Sequence, residues 1–530
     1  MTRRDALLVL STVVAVVLIV AWPLPRYLDS HLFIPLLDPD VQCGLWWPDA
    51  FVGSVLSGQD PFWRPELNYP EGQDVRLLVW NVFVQLLFLP LYAAMGPVRS
   101  LNTVALLVAI LNGLASGWAG WMATQDRRGA FAGALVGAGT LFGLFECLNG
   151  RPEQGLWAPL AIYAGAWFGV LQGRRGMAVL AGVALSIAGA TYWFYAIFGL
   201  LGTLPFAAWM AWRRELRPLL VAGAASLLTV LPFLLPIALG MGAEDSAYTT
   251  LRDTMDTVAQ QTRASVAFPA DLFGGLIGGA DVPSTRFPLV LLPLALAGLV
   301  LPRTRALAAG TLAFAVLAAG PALMDAKGVP FADTPIVLPH AALNHLPGFS
   351  RFWWPYRWIA PAVVLLGLVA ARLAARLPEW SVWVLGVVLV LDAKLVIKQA
   401  EVFLSPVAIP EALTGLQTST EAVPVAAYPP LTVENGLVGL QPFHRQPIDA
   451  GLAWNETSAL RGGWDQRAET GLLAGLSAIH DDREPGALEW GEFGAVVAFL
   501  PGNSEREAAA LVRWLGPPDD SADALYVWLR

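Results

Sequence analysis

The sequence predicts an α-helical polytopic membrane protein of about eleven spans, followed by a small C-terminal α/β domain outside the membrane. Three observations carry this. The chain is 56% hydrophobic and 14% charged, whereas a soluble chain of this length is nearer a quarter charged. Its apolar residues come in long blocks broken by short Arg-rich or Pro/Gly-rich stretches, the pattern of spanning helices and not of alternating barrel strands. One assumption about a single segment then brings every Arg-rich connection to the same side, as the positive-inside rule requires. The 22 tryptophans suit interfacial belts. A net charge of -8 is no nucleic-acid footprint, and the sequence holds no zinc-type Cys/His cluster, P-loop or dinucleotide fingerprint.

Arg3 and Arg4 precede an apolar run over 6–25. The run lacks a small-residue cleavage site, so it reads as a retained first span with a cytoplasmic N-terminus. The polar stretch 26–76 follows and falls on the outer face. Segment 77–96 is long enough to span. If it does, Arg127–Arg128, Arg174–Arg175 and Arg213–Arg214 all face outward; if it does not, all three pairs face inward. It is therefore expected to be a re-entrant or interfacial helix. The remaining spans fall at 103–124, 130–148, 156–171, 177–191, 196–212, 218–240, 287–302, 306–324, 358–377 and 380–398. Arg303, Arg305, Arg372 and Arg376 also come to the inner side. The expected outer regions are 26–76, 145–155, 241–286 and 325–357, and the odd number of spans puts 400–530 outside. In that tail the apolar runs shorten to strand length, at 423–429, 495–501 and in the closing ADALYVWLR, with a helical pattern at 504–515. The domain division is thus 1–399 and 400–530.

Residues 26–76 form a long polar connection rich in acids and aromatics, expected to be a folded loop on the membrane surface that carries the active site. Asp38 and Asp40 flank Pro39 directly after an apolar run. One carboxylate suits the general base that takes a proton from an attacking hydroxyl. The other suits an orienting group or a ligand to a divalent cation such as Mg or Mn. The same residues also suit a turn or a helix N-cap. Trp46 and Trp47 are candidate substrate-binding aromatics of this stretch. Glu146, Arg151 and Glu153 form a second outer cluster, either a helix-terminal ion pair or a set facing the first acids. Arg351 and Arg357, in SRFWWPYRW, suit a lipid phosphate, with tryptophans for its prenyl chain or a sugar face; basic and aromatic residues also anchor helix ends at headgroups. His340 and His345 could assist a phosphate leaving group or be structural, and His444 is structural or acceptor-binding. Cys43 and Cys147 both fall at the outer face, either paired or as two free buried thiols.

A long outer loop with an acidic pair after the first span, followed by a surface or re-entrant helix, resembles the GT-C superfamily of membrane glycosyltransferases. The stretches SGQDPFWRPELNYPEGQD (57–74), PLYAAMGPVRSLN (90–102), GRPEQGLWAPL (150–160) and LPGFSRFWWPYRW (346–358) also resemble a bacterial group of GT-C-like multi-pass proteins. So do GLQPFHRQPIDAG (439–451) and LGPPDDSADALYVWL (515–529), so the likeness runs over nearly the whole chain. The resemblance implies a bacterial inner-membrane enzyme that uses a polyprenyl-phosphate-linked sugar. It would transfer that sugar on the outer face to a glycan, lipid or protein acceptor of the envelope, with a first-loop acid as base or metal ligand. Only Asp38 and Asp40 match that position. A lipid or polysaccharide transporter and a non-catalytic envelope-assembly scaffold are the competing readings. Asp392 and Lys394, within an apolar segment, are the feature that a transporter would use.

Overall fold

The computed structural model describes residues 1–33, 39–64, 73–75, 82–240, 261–262, 265–267, 271–272, 283–324, 336–346, 354–400, 404–407, 409–416, 425–428, 472, 476, 478–479, 490, 493–499, 505–522 and 525–530. Helix α1 (Arg3–Val20) begins with a capping box between Thr2 and Asp5, and its acid complements the helix dipole. Val9, Val13, Val16, Val17 and Val20 face the bundle, while Leu7, Leu8, Leu18 and Ile19 point away. An apolar helix clad outward in leucine is built for lipid.

The stretch after α1 holds more helix than its sequence suggests. Helix α2 (Pro39–Ser57) opens on Pro39, a position where a missing N–H costs nothing. Short antiparallel ladders follow at Trp63–Arg64 and Gln73–Asp74. Arg64 is buried and donates to Ala50 O at 3.0 Å and to Ser54 Oγ, which folds the chain back on α2. Helix α3 (Val82–Ala94) has 13 residues, or roughly 20 Å of rise against a hydrocarbon core of about 30 Å.

The bundle continues through α4 (Pro97–Thr124), α5 (Arg127–Gly139), α6 (Leu141–Leu148), the short α7 (Pro152–Gly155) and α8 (Ala158–Leu171). Next come α9 (Met177–Thr191), α10 (Trp193–Trp212), α11 (Arg217–Gly240), α12 (Leu291–Val300) and α13 (Arg305–Ala318). After α14 (His340–Leu343) and a 3-10 turn, Pro355–Trp358, come α15 (Ile359–Ala374) and α16 (Trp380–Gln399). Five apolar helical segments among the described residues are long enough to cross a membrane: Pro97–Thr124, Arg127–Leu148, Trp193–Trp212, Pro355–Ala374 and Trp380–Gln399. α4 and α5 approach through small residues. A Cβ on Gly120 would lie 2.4 Å from Gly129 O, and one on Gly133 would lie 2.5 Å from Ser116 O. Such close backbone approach is the usual glue of membrane helices.

The Arg-rich connections meet at one end. Arg127 pairs with Glu379 at 2.7 Å, and Arg128 reaches the carbonyls of Ala375 and Leu377. Arg372 donates to Arg303 O, and Arg174 to Gln125. Asp5, at the start of α1, lines a small cavity with Arg127 and Glu379. At the other end Lys394 of α16 donates to Trp22 O, just past α1. Helices α1 and α16 therefore run in the same direction. Beyond them His31–Leu32 pairs antiparallel with Ser405–Pro406, so the first long connection and the start of the tail lie together.

In the tail, Val425–Tyr428 pairs parallel with Ala495–Phe499, which pairs antiparallel with Leu525–Leu529, with Asp520–Ala522 at the edge. Ala426, Leu472, Leu476, Phe493, Val496, Leu511 and Trp528 form a core of their own beside this sheet. Leu511 comes from α18 (Glu505–Leu515), after α17 (Glu411–Gly415).

Candidate functional site

Three consecutive residues of the 3-10 turn before α15 reach three different elements. Tyr356 donates to the carboxylate of Glu146 on α6, at 3.1 and 3.2 Å. Arg357 donates through Nη1 to the Tyr192 hydroxyl, at the junction of α9 and α10. Trp358 donates through Nε1 to His340 Nδ1, at 3.2 Å, and packs against Phe198 and Phe314. Pro355 opens the turn, so its fixed backbone angle sets where this run starts.

Glu146 is fully buried, and Arg151 faces it at 3.3 Å. A buried carboxylate is tolerable only when paired and hydrogen-bonded, and here Tyr356 and Arg151 do both. The backbone between them closes tightly: Arg151 N donates to Glu146 O, and Gly150 adopts φ 75°. Glu153 accepts from the side chain of Gln154, whose carbonyl receives the Tyr195 hydroxyl. Arg357 is 4% exposed, with its Cζ 4.2 Å over the Trp354 ring and 5.1 Å over that of Tyr192. Its Nε and Nη2 are buried and have no hydrogen-bond partner among the described residues. The His340 ring is wholly buried, and burial lowers its pKa to about 4.

The structure thus gathers Glu146, Arg151, Arg357 and His340 around one turn. His345 is exposed just past α14. Trp46 and Trp47 are buried against one another, Trp47 also against Phe51 and Phe62, so protein occupies their faces. Cys147 is a free buried thiol. Asp38 and Arg351 lie outside the described residues, as does His444; Asp40 is the second residue of α2, and the side chains of Asp40 and Cys43 are not described. Both described flanks of the acidic pair touch the turn that holds Glu146. Phe33 packs on Phe145 at 5.9 Å, and a Cβ on Gly44 would lie 2.3 Å from Gly150 Cα. Among the described residues no group of three or more His, Cys, Asp or Glu side chains gathers as a metal would need.

Tyr192 and Tyr356 are the residues that sequence reasoning missed as site members; Trp354, one of the SRFWWPYRW tryptophans expected to meet a prenyl chain or sugar, lies against Arg357. The parity that puts 145–155 outside also puts the short junction 192–195 there, and its sequence, YWFY, is wholly aromatic. That junction was the available signal.

The chain is thus a helical bundle with a buried Arg/Glu/Tyr constellation at the end away from its Arg-rich connections. No family model matches the chain, and no curated protein matches it. Among solved structures it is similar to ArnT from Cupriavidus metallidurans in the apo state, with a TM-score of 0.51 and 14% identity over 97% of each chain. It is also similar to the oligosaccharyltransferase AglB from Archaeoglobus fulgidus, in complex with an inhibitory peptide and a dolichol-phosphate. There the TM-score is 0.50 and the identity 11%, over 96% of this chain and 71% of that one. The chain shares the fold of these two structures, as the GT-C resemblance implies.

Proposed function

We propose that the protein is a membrane glycosyltransferase. It moves a sugar from a polyprenyl-phosphate donor to a glycan, lipid or protein acceptor at the outer face of a bacterial inner membrane. The N-terminus is cytoplasmic, about eleven spans cross the bilayer, and residues 400–530 form an extracytoplasmic α/β domain. The observation that carries this reading is the buried Arg357 edge, two N–H donors without a partner among the described residues. A desolvated guanidinium suits a phosphate leaving group, which already carries negative charge and needs cations more than a general acid. The GT-C fold supports the same reading, and so does the dolichol-phosphate bound to AglB.

In the proposed reaction Asp38 or Asp40 takes the proton of the acceptor hydroxyl. That oxygen attacks the anomeric carbon, the bond to the phosphate oxygen breaks, and configuration inverts. Arg357, with Arg351, holds the departing polyprenyl phosphate. Contacts from Phe33 and Gly44 to the Phe145–Gly150 turn support an acidic pair close to Glu146. Glu146 engages Tyr356 and Arg151, so a Mg or Mn ion falls to Asp38 and Asp40, where it would offset phosphate charge.

The feature a transporter would use has structural partners instead. Asp392 accepts the backbone N–H of Leu289 at 2.8 Å, and Lys394 donates to Trp22 O.

The test is transfer in proteoliposomes supplied with a labelled polyprenyl-phosphate sugar. Asp38→Asn and Asp40→Asn are made separately. The variant lacking the base should lose about 10²- to 10⁴-fold in rate. Full activity in both would remove the first-loop acids from the mechanism.

A further inference from the structure

We infer that Tyr192 is a positioning residue. It sets the Arg357 guanidinium so that its Nε–Nη2 edge meets one oxyanion at two points. The inference rests on the donor-phosphate reading above and assigns a residue that reading does not use.

A guanidinium is planar and carries its five N–H donors in a fixed fork. Two constraints orient such a group: one for its plane, one for rotation within the plane. Here Trp354 and Tyr192 supply the first, through ring contacts of 4.2 Å and 5.1 Å to Cζ. The Tyr192 hydroxyl supplies the second by accepting from Nη1. What is left over is Nε and Nη2, both buried. These two nitrogens share one edge, and that edge matches the spacing of two oxygens on a phosphate or carboxylate. Lysine at this position would keep the charge and lose the two-point match.

Tyr192 can hold such a position because its own backbone is fixed. It caps α9 in an extended conformation, φ -153° and ψ 112°, with its N–H bonded to Ala188 O. Tyr195 meets its ring edge-on at 5.2 Å, and Phe194 packs at 5.5 Å. Tyr195 is tied in turn to the carbonyl of Gln154, close to the Glu146–Arg151 turn. The phenol oxygen accepts from Nη1, on the side of the guanidinium away from the Nε–Nη2 edge, so it fixes the group without occupying that edge.

The experiment measures binding of a short-chain polyprenyl phosphate, and of the matching polyprenol, to the purified full-length chain in detergent. Tryptophan fluorescence reports binding. Variants Tyr192→Phe and Arg357→Lys are compared with wild type, with Tm recorded for each. Wild type should bind the phosphate and discriminate against the alcohol. Arg357→Lys should weaken phosphate binding about tenfold or more, and Tyr192→Phe about three- to tenfold, each with unchanged Tm. In turnover, Tyr192→Phe should raise donor KM by the same factor without changing the acceptor KM. Tyr192→Phe binding as wild type does overturns the inference and leaves the donor reading standing. Loss of affinity that follows a loss of Tm assigns Tyr192 to packing, which also overturns it. A wild-type chain that does not distinguish phosphate from alcohol overturns the donor reading itself.

Discussion

His340 is held in its neutral form by two features. Burial disfavours the imidazolium, and Nδ1 already accepts from Trp358. Its folded pKa, about 4, lies below the unfolded value of 6.5. Between those values the unfolded chain binds a proton that the folded chain does not, so stability falls as pH falls. The contribution is fully present above about pH 6.5 and gone by about pH 4, with about 3 kcal/mol at stake. Tm in detergent should drop over this window in wild type and stay flatter in His340→Gln. Identical profiles would remove His340 from the acid response. The sequence shows a histidine near an arginine–tryptophan motif but not its partner, because the two roles of a histidine differ only in what surrounds it.

At the scale of elements, α2 packs on α4 through Val41 and Leu45, and one further contact that holds it to the bundle is backbone on backbone. A methyl on Gly44 would meet Gly150 Cα at 2.3 Å and Gly150 O at 2.7 Å. Gly150 has little room to move, since its positive φ closes the turn between Glu146 and Arg151. Gly44→Ala should therefore lift α2 away from the site, costing about 1–3 kcal/mol in stability and most of the transfer activity. Wild-type Tm and activity in that variant would show that the approach is not needed. Helix boundaries were largely legible. Segments expected at 177–191 and 380–398 appear as Met177–Thr191 and Trp380–Gln399, because a long apolar run that follows a breaker, here Gly176 and Pro378, has few other options. Helix α2 was not legible: its mixed acids, prolines and tryptophans carry no clean period, and contacts such as that to Gly150 stabilise it instead.

For the whole molecule, the placement of connections follows from arginine and was readable in advance. Arg127, Arg128, Arg174 and Arg372 join connections far apart in sequence at one end of the bundle, and Lys394 meets Trp22 at the other. Single cysteines introduced at Ser57 and Gln125, in a chain without Cys43 and Cys147, should react with an impermeant maleimide from opposite faces of a sealed vesicle. Labelling of both from one face would break the assignment of ends. The candidate site was only half readable. Glu146, Arg151 and Arg357 stand out as charges at span boundaries. The Arg357–Tyr192 bond joins residues 165 apart, and no local pattern announces such a pairing.

The ladder between His31–Leu32 and Ser405–Pro406 has a mechanical consequence. Chain entering the acidic stretch and chain leaving the last membrane helix are stitched edge to edge, with Val407 N adding a bond to Ser30 O. A load on the tail is felt two residues before Phe33, whose ring rests on Phe145. Whatever docks on the tail pulls on a tether whose other end is anchored beside Glu146.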